Sequence, residues 1–279
     1  MSNQSVKIGL LRSKPNFFLA VMLIFFLAGC AEKPWSGKLK ENEVKSYKDM
    51  IGKQIKAHST CPSTLDAEVT VTWKTALETK AFSGYLQMKL PSSVKFVTTN
   101  PLGQTLFALV SDGKDYNSVN AITQQYISGS LFSLALRNNI PAQLLAGNWA
   151  TWLSGRIVAA DKEKVVDIRK DLSGMGLWVI AKNPKDATGN KDYILVDSTG
   201  SRPLLRVLMN GDDAPIARIK YSDWQQRSKC ELPTTFDITG LPMGTEIKVH
   251  LSDIITDKVF GKQNFILMPP RGYFIQFLP

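Results

Sequence analysis

Three cysteines and two histidines are the side chains of this sequence best suited to nucleophilic or metal chemistry, and their positions limit both. His58 and His250 stand far apart, and neither lies at ligand spacing from a cysteine, so no zinc pattern is present. Ser92-Ser93-Val94-Lys95 reproduces Ser-x-x-Lys literally, yet it falls on an expected strand rather than at a helix start, and we treat it as chance. There is no Gly-x-Ser-x-Gly elbow and no phosphate loop. The pattern therefore points away from an enzyme, with no metal site and no bound cofactor expected. Only net charge would suggest nucleic acid, and no nucleic-acid partner is expected.

Cys30 suits a different chemistry. Residues 1–16 carry Lys7, Arg12 and Lys14 and no acid, and from Phe17 to Gly29 every residue is apolar or small. A helix rises about 1.5 Å per residue, so spanning a bilayer core of about 30 Å takes roughly 20 residues. This run is too short to remain a membrane span and reads as the apolar region of an export signal. It ends in Leu27-Ala28-Gly29-Cys30, which resembles the lipobox of bacterial lipoproteins. The resemblance implies cleavage after residue 29 and a diacylglyceryl thioether on Cys30, a covalent N-terminal lipid. Ala31 follows in place of Asp, which by the same resemblance implies anchoring in the outer membrane, facing the periplasm. An ordinary export signal with a chance cysteine is the competing reading.

With Cys30 acylated, Cys61 and Cys230 remain as a pair in a compartment that permits disulfides. A bridge would close most of the chain into one loop, worth up to about 5 kcal/mol in the loop-entropy account. Its Cα atoms should lie about 5.5 to 6 Å apart. Two separate buried thiols are the alternative.

The whole chain carries a net charge of +10, and residues 1–29 hold three bases and no acid, so the remaining 250 residues carry +7. That charge suits anionic lipid heads or acidic partners, and equally a merely basic periplasmic protein. The length allows a single β-rich domain.

The elements that would hold any site follow from periodicity. Residues 30–38 read as a lipidated tether, and 39–279 as one domain. Over 39–57, Val44, Tyr47, Ile51 and Ile55 recur at helical spacing. The period then changes to two, with strands expected over 65–73, 82–90, 94–99 and 106–111 and a turn at Asp112-Gly113. Leu131, Phe132, Leu134, Ala135 and Leu136 form a compact apolar segment, and Pro141 opens a helix over 142–153. Strands resume over 156–160, 164–170, 177–182, 193–197, 204–209 and 214–224. Residues 234–238, 246–251 and 265–268 could add more. The fold class is mainly β with helices. A curved antiparallel sheet forms an open half-barrel, covered by an N-terminal helix and two short central helices.

Seven aromatic residues, Trp73, Phe82, Phe96, Phe107, Trp149, Trp152 and Trp178, have two readings. Each can be ordinary core; as a set facing a half-closed barrel, they can line a cavity for acyl chains.

The stretch from Val94 to Leu106, VKFVTTNPLGQTL, resembles the LolB family of outer-membrane lipoprotein receptors, within the LolA/LolB superfamily. Asn139-Ile140-Pro141 and Leu144-Leu145-Ala146-Gly147 are also similar to that family. The resemblance implies an apolar cavity under helices, a LolA-like carrier as partner and lipoprotein cargo passed to the inner leaflet of the outer membrane. Asn100, Pro101, Leu102 and Gly103 suit a β-turn with Leu102 at its tip. The resemblance implies that this is a membrane-inserting loop; a plain hairpin whose leucine folds back onto the sheet is the competing reading. The chain continues past the family pattern from about residue 231, as an apparent C-terminal extension ending in Tyr273, Phe274 and Phe277, which places it nearer a larger branch of LolB-like lipoproteins. The alternative function is a structural lipoprotein of the same fold that holds a protein partner in an envelope complex.

Overall fold

A computed structural model describes Pro34, Trp35 and residues 39–138, 140–145, 149–157, 164–183, 189–228 and 230–279. The chain divides into two compact units, Met1–Pro34 and Trp35–Pro279. Pro34 apart, the first unit lies outside the described residues. So do the export signal over 1–29, Cys30, and most of the tether over 30–38.

The second unit is built on one 14-stranded sheet. Helix α1 (Glu41–His58) precedes a meander of β1 (Thr64–Lys74), β2 (Thr79–Lys89), β3 (Ser93–Thr99), β4 (Thr105–Ser111), β5 (Asp115–Asn120) and β6 (Gln125–Ser130). Three short helices follow: α2 (Leu131–Arg137), α3 (Ala142–Leu145) and α4 (Trp149–Leu153). A second meander runs through β7 (Lys164–Lys170), β8 (Gly176–Lys182), β9 (Lys191–Asp197), β10 (Pro203–Met209), β11 (Pro215–Arg227) and β12 (Cys230–Thr239). Strand β13 (Glu246–Thr256) lies between β12 and β1 and joins the two meanders. Strand β14 (Phe274–Phe277) runs parallel to β6 at one outer edge. The sheet is curved and unclosed, as the alternating pattern predicts.

Burial explains both strand patterns. In β1, Leu65, Ala67 and Val69 are buried while the residues between them are more exposed, the mark of a sheet with one wet face. In β8 and β9 the run is continuous, because both faces are covered. Ile51 of α1 packs with Ile168, Val179 and Ile194 on one side. Trp35 covers the other, stacked on Tyr193 at 4.6 Å and edge-on to Trp178 at 5.5 Å. The β9–β10 turn passes directly under α1. Gly200 has φ +72°, and a Cβ there would meet Met50 Cε at 2.9 Å and Ile51 Cδ1 at 3.1 Å.

Several expectations change. Strands β5 and β6 form where the sequence carries no strand signal, since Asp115-Tyr-Asn-Ser-Val-Asn and Gln125-Tyr-Ile-Ser-Gly-Ser have turn-like composition. Neighbouring ladders and the buried Tyr116, Val119 and Tyr126 hold them extended. The single helix over 142–153 is two, α3 and α4. Of the strand expected over 156–160, Arg156 and Ile157 are in no strand, and the rest lies outside the described residues. Residues 265–268 form no strand. Lys262–Phe265 is a 3-10 turn, and Pro269-Pro270 lack the N–H groups a ladder needs. The last strand is β14, and its parallel pairing departs from the all-antiparallel expectation. The stretch from about 231 is no appendage at its start, since β12 and β13 lie at the centre of the sheet. Cys61 and Cys230 form a disulfide with Cα atoms 5.7 Å apart.

Candidate functional site

Strand register decides which side chains face inward together. Trp73 pairs with Ile247, Ile247 with Ile238, Ile238 with Ile219, and Ile219 with Arg206, one row across β1, β13, β12, β11 and β10. A second row joins Val71, Val249 and Phe236. A third joins Leu86, Phe96 and Leu109. Arg206 at the end of the first row apart, period-two alternation on each strand makes these rows apolar, and the curvature of the sheet turns them toward one another.

Leu144 and Leu145 of α3 and Trp149, Trp152 and Leu153 of α4 cover the rows. The Trp149 indole N–H donates to the Leu144 carbonyl at 2.9 Å, tying the two short helices together. The space left between helices and sheet is a cavity of about 340 Å³. Every described residue that lines it is apolar, and no polar atom among them opens onto it. An apolar cavity of even about 150 Å³ stays dry and takes up apolar ligands, because water inside would find no hydrogen-bond partner.

One charge sits beside this space without facing it. Arg206 is fully buried. Its guanidinium pairs with Asp192 and donates to the carbonyls of Arg156 at 2.8 Å and Ile157 at 2.9 Å. It also lies 5.9 Å from the ring of Trp152. Arg206 thereby fastens the chain leaving α4 to the sheet and fixes Trp152 over the cavity. Burial pushes the Asp192 carboxyl up, against the pull of the guanidinium.

Of the seven aromatic candidates, Trp73, Phe96, Trp149 and Trp152 line the cavity. Phe82 shares the inward face, paired with Val71, but it is 45% exposed and outside the lining. Phe107 is half-buried two residues before Leu109 and also outside it. Trp178 points the other way. It stands one position from Leu177 and Val179, which face α1, so alternation sends it to the Trp35 side, where its N–H donates to Asp171 at 2.8 Å. Sequence reasoning missed the aliphatic lining, including Val69, Val71, Ile219, Ile238 and Val249. Their signal was present as alternation on the same strands; selecting for aromatics hid it.

The turn at residues 100–103 projects from the sheet. The Asn100 side-chain oxygen accepts from the N–H groups of Leu102 at 3.0 Å and Gln104 at 2.9 Å, which stiffens it. Leu102 at its tip is 85% exposed. Among the described residues, no helix is long and apolar enough to cross a membrane.

This half-barrel recurs in solved structures. A LolA superfamily protein from Nitrosomonas europaea superposes with a TM-score of 0.52 at 14% identity, over 79% of this chain and 97% of that one. The fold is LolA-like. An outer membrane lipoprotein-sorting protein domain from Vibrio parahaemolyticus gives a TM-score of 0.52 at 13% identity, over 77% and 94%. A DUF1329 family protein from Desulfovibrio piger gives 0.54 at 12% identity, over 80% and 97%. No family model and no curated protein matches the sequence. The likeness to LolA-like structures is therefore one of architecture.

Proposed function

We propose that this protein is an outer-membrane-anchored lipoprotein that takes acyl chains into its cavity and passes them, or the lipoproteins bearing them, to the outer membrane. The observation that carries this reading is the all-apolar lining of the 340 Å³ cavity. The volume falls at the lower end of ordinary ligand sites. Each methylene moved out of water contributes about 0.8 kcal/mol, so a chain of modest length binds without any polar contact. The Vibrio relative, described as a lipoprotein-sorting domain, supports the same class of cargo. On this reading a LolA-like carrier delivers the cargo, and the lipid on Cys30 keeps the acceptor at the membrane.

The test is to extract and weigh the lipids that co-purify with the protein, then to displace a fluorescent fatty acid with unlabelled acyl chains. Bound lipid and saturable displacement are expected. A protein that emerges empty and takes up no probe would defeat the proposal and favour a structural lipoprotein holding a protein partner.

A further inference from the structure

The antiparallel meander sends alternate turns to the same end of the sheet. One rim carries the β5–β6, β3–β4, β1–β2 and β12–β13 turns, which are neighbours in that order, and beyond them the polar β10–β11 turn at Asn210-Gly211-Asp212-Asp213, which lies outside the row. Each of the four presents one large apolar side chain to solvent: Ile122 is 76% exposed, Leu102 85%, Leu77 94% and Met243 83%. Two strands separate successive tips, so they stand about 10 Å apart in a row. The opposite rim differs. Its turns at Asp112-Gly113-Lys114 and Ser198-Thr199-Gly200-Ser201 are polar, and its exposed Leu172, Met175 and Val259 lie among Asp171, Asp257 and Lys258.

We propose that this row of four tips is a docking edge for a lipid bilayer, entered at four points rather than at Leu102 alone. Three features select a bilayer over a folded protein partner. First, the tips are spaced points and not a continuous patch. Their own chain neighbours apart, no described heavy atom lies within 4 Å of where a Cβ would stand on Gly103 or Gly244, beside two of them. A fluid surface closes around separate points, whereas a rigid partner needs contiguous area.

Second, the turns lack free charge. Residues 100–104, 121–124 and 240–245 contain no ionisable side chain. Behind the other tip, Lys80 pairs with Glu78 at 2.8 Å and Lys74 with Glu246 at 3.1 Å. Attachment therefore rests on apolar burial and not on attraction to anionic heads.

Third, the inward face behind the tips is continuous with the cavity. Trp73 and Ile247, both cavity-lining, form the register pair just inside the tips Leu77 and Met243. The half-exposed Phe82 lies on the same face beside Val71. An acyl chain leaving the cavity at this rim would meet apolar surface up to the bilayer. This last feature rests on the acyl-chain reading; the edge itself does not.

The experiment uses the full chain purified from membranes and reconstituted into phosphatidylcholine vesicles, with Cys61 and Cys230 left bridged. A polarity-sensitive fluorophore is placed at one position at a time through Leu77→Cys, Leu102→Cys, Ile122→Cys, Met243→Cys, or Thr199→Cys on the opposite rim. All four tip labels should shift to the blue and be quenched by spin-labelled lipid, equally in low and high salt, while the Thr199 position stays aqueous. Adding an aspartate at a neighbouring tip, as in Met243→Asp, should lower the buried fraction at the Leu77 label about tenfold. Tip labels as aqueous as the Thr199 control would overturn the proposal. So would a response at Leu102 alone, or one abolished by salt. Insertion of all four tips in a protein that binds no acyl chain would leave the edge standing and remove the acyl-chain reading, so the two fail separately.

Discussion

Cys61 and Cys230 are joined at the end of the sheet where β12 and β13 have parted. The β12–β13 ladder covers only Thr235 to Ile238 against Ile247 to His250. Below it, Cys230 pairs with Arg227 on β11, and Leu65 at the foot of β1 pairs with Thr256 on β13. The disulfide spans this gap, and Arg156 adds to the closure by donating to the carbonyls of Cys61 at 3.0 Å and Pro62 at 3.1 Å. Since cavity-lining residues come from both sides of the seam, the bridge also restrains the width of the cavity.

Opening the bridge should therefore weaken both stability and ligand retention. Reduction, or Cys61→Ser with Cys230→Ser, is expected to lower unfolding stability by about 2 to 5 kcal/mol. The urea midpoint in matched oxidised and reduced samples measures this. An unchanged midpoint would mean that the short ladder alone holds the seam.

Arg206 and Asp192 offer a sharper energetic test. Arg206→Met strands the Asp192 carboxylate in a buried site and frees two carbonyls, which should cost about 3 to 5 kcal/mol. Replacing both residues by apolar ones, Arg206→Met with Asp192→Leu, should recover part of that loss. A double-mutant cycle on unfolding free energies gives the coupling; additive losses would show that the pair does not act as a unit.

The half-buried His58 and the buried Asp171 should shape the acid side of the stability curve. Burial lowers the pKa of His58, and the charge of Arg156 lowers it further, while a hydrogen bond with the Ser201 backbone opposes both. The unfolded chain therefore takes up the proton first. This contribution is fully present above the ordinary imidazole value and is lost as pH falls from there toward the lower folded value.

Asp171 acts in a lower window. Burial pushes its carboxyl up, but hydrogen bonds from Ser173, Trp178 and Met175 outweigh that and hold it below the usual carboxylate value. Its contribution is present above about pH 4 and lost on further acidification. Melting temperatures from pH 8 to pH 3 should fall in two steps, with His58→Gln flattening the upper and Asp171→Asn the lower. Asp171→Asn should also cost about 1 to 3 kcal/mol near neutrality. A curve that keeps both steps in the variants would assign them to other groups.

Filling the cavity should separate binding from folding. Val71→Trp with Val249→Trp places two large rings in space that is already empty and apolar. Fatty-acid affinity is expected to fall at least about tenfold, with the unfolding midpoint unchanged or raised. Undiminished affinity would move the binding site elsewhere.

Part of this protein was legible residue by residue. Alternation in Leu65, Ala67 and Val69 gave a half-wet strand, and helical spacing of Tyr47, Ile51 and Ile55 gave α1, because local periodicity reflects a face that must be buried. Setting Cys30 aside as the expected lipidation site left Cys61 and Cys230 as a candidate pair, and the structure joins them. The stretch around Asn100-Pro101-Leu102-Gly103 gave a turn, since its residue types dictate backbone shape locally, but whether Leu102 stands out or folds back onto the sheet was decided by the structure.

What tertiary structure decided was everything that depends on which strand lies beside which. Alternation gives each strand two faces without naming the inner one, so Trp178 could not be separated from Trp73 by type. Strands β5 and β6 are extended only because neighbours complete their ladders. Residues 230–256 look like an extension in sequence, yet β13 enters between β12 and β1, far apart along the chain, and unites the two meanders. The row of Leu77, Leu102, Ile122 and Met243 has no counterpart in sequence spacing. Those residues share an edge because antiparallel pairing sends alternate turns to one end, and pairing between distant segments is a property of the whole sheet, not of any window along the chain.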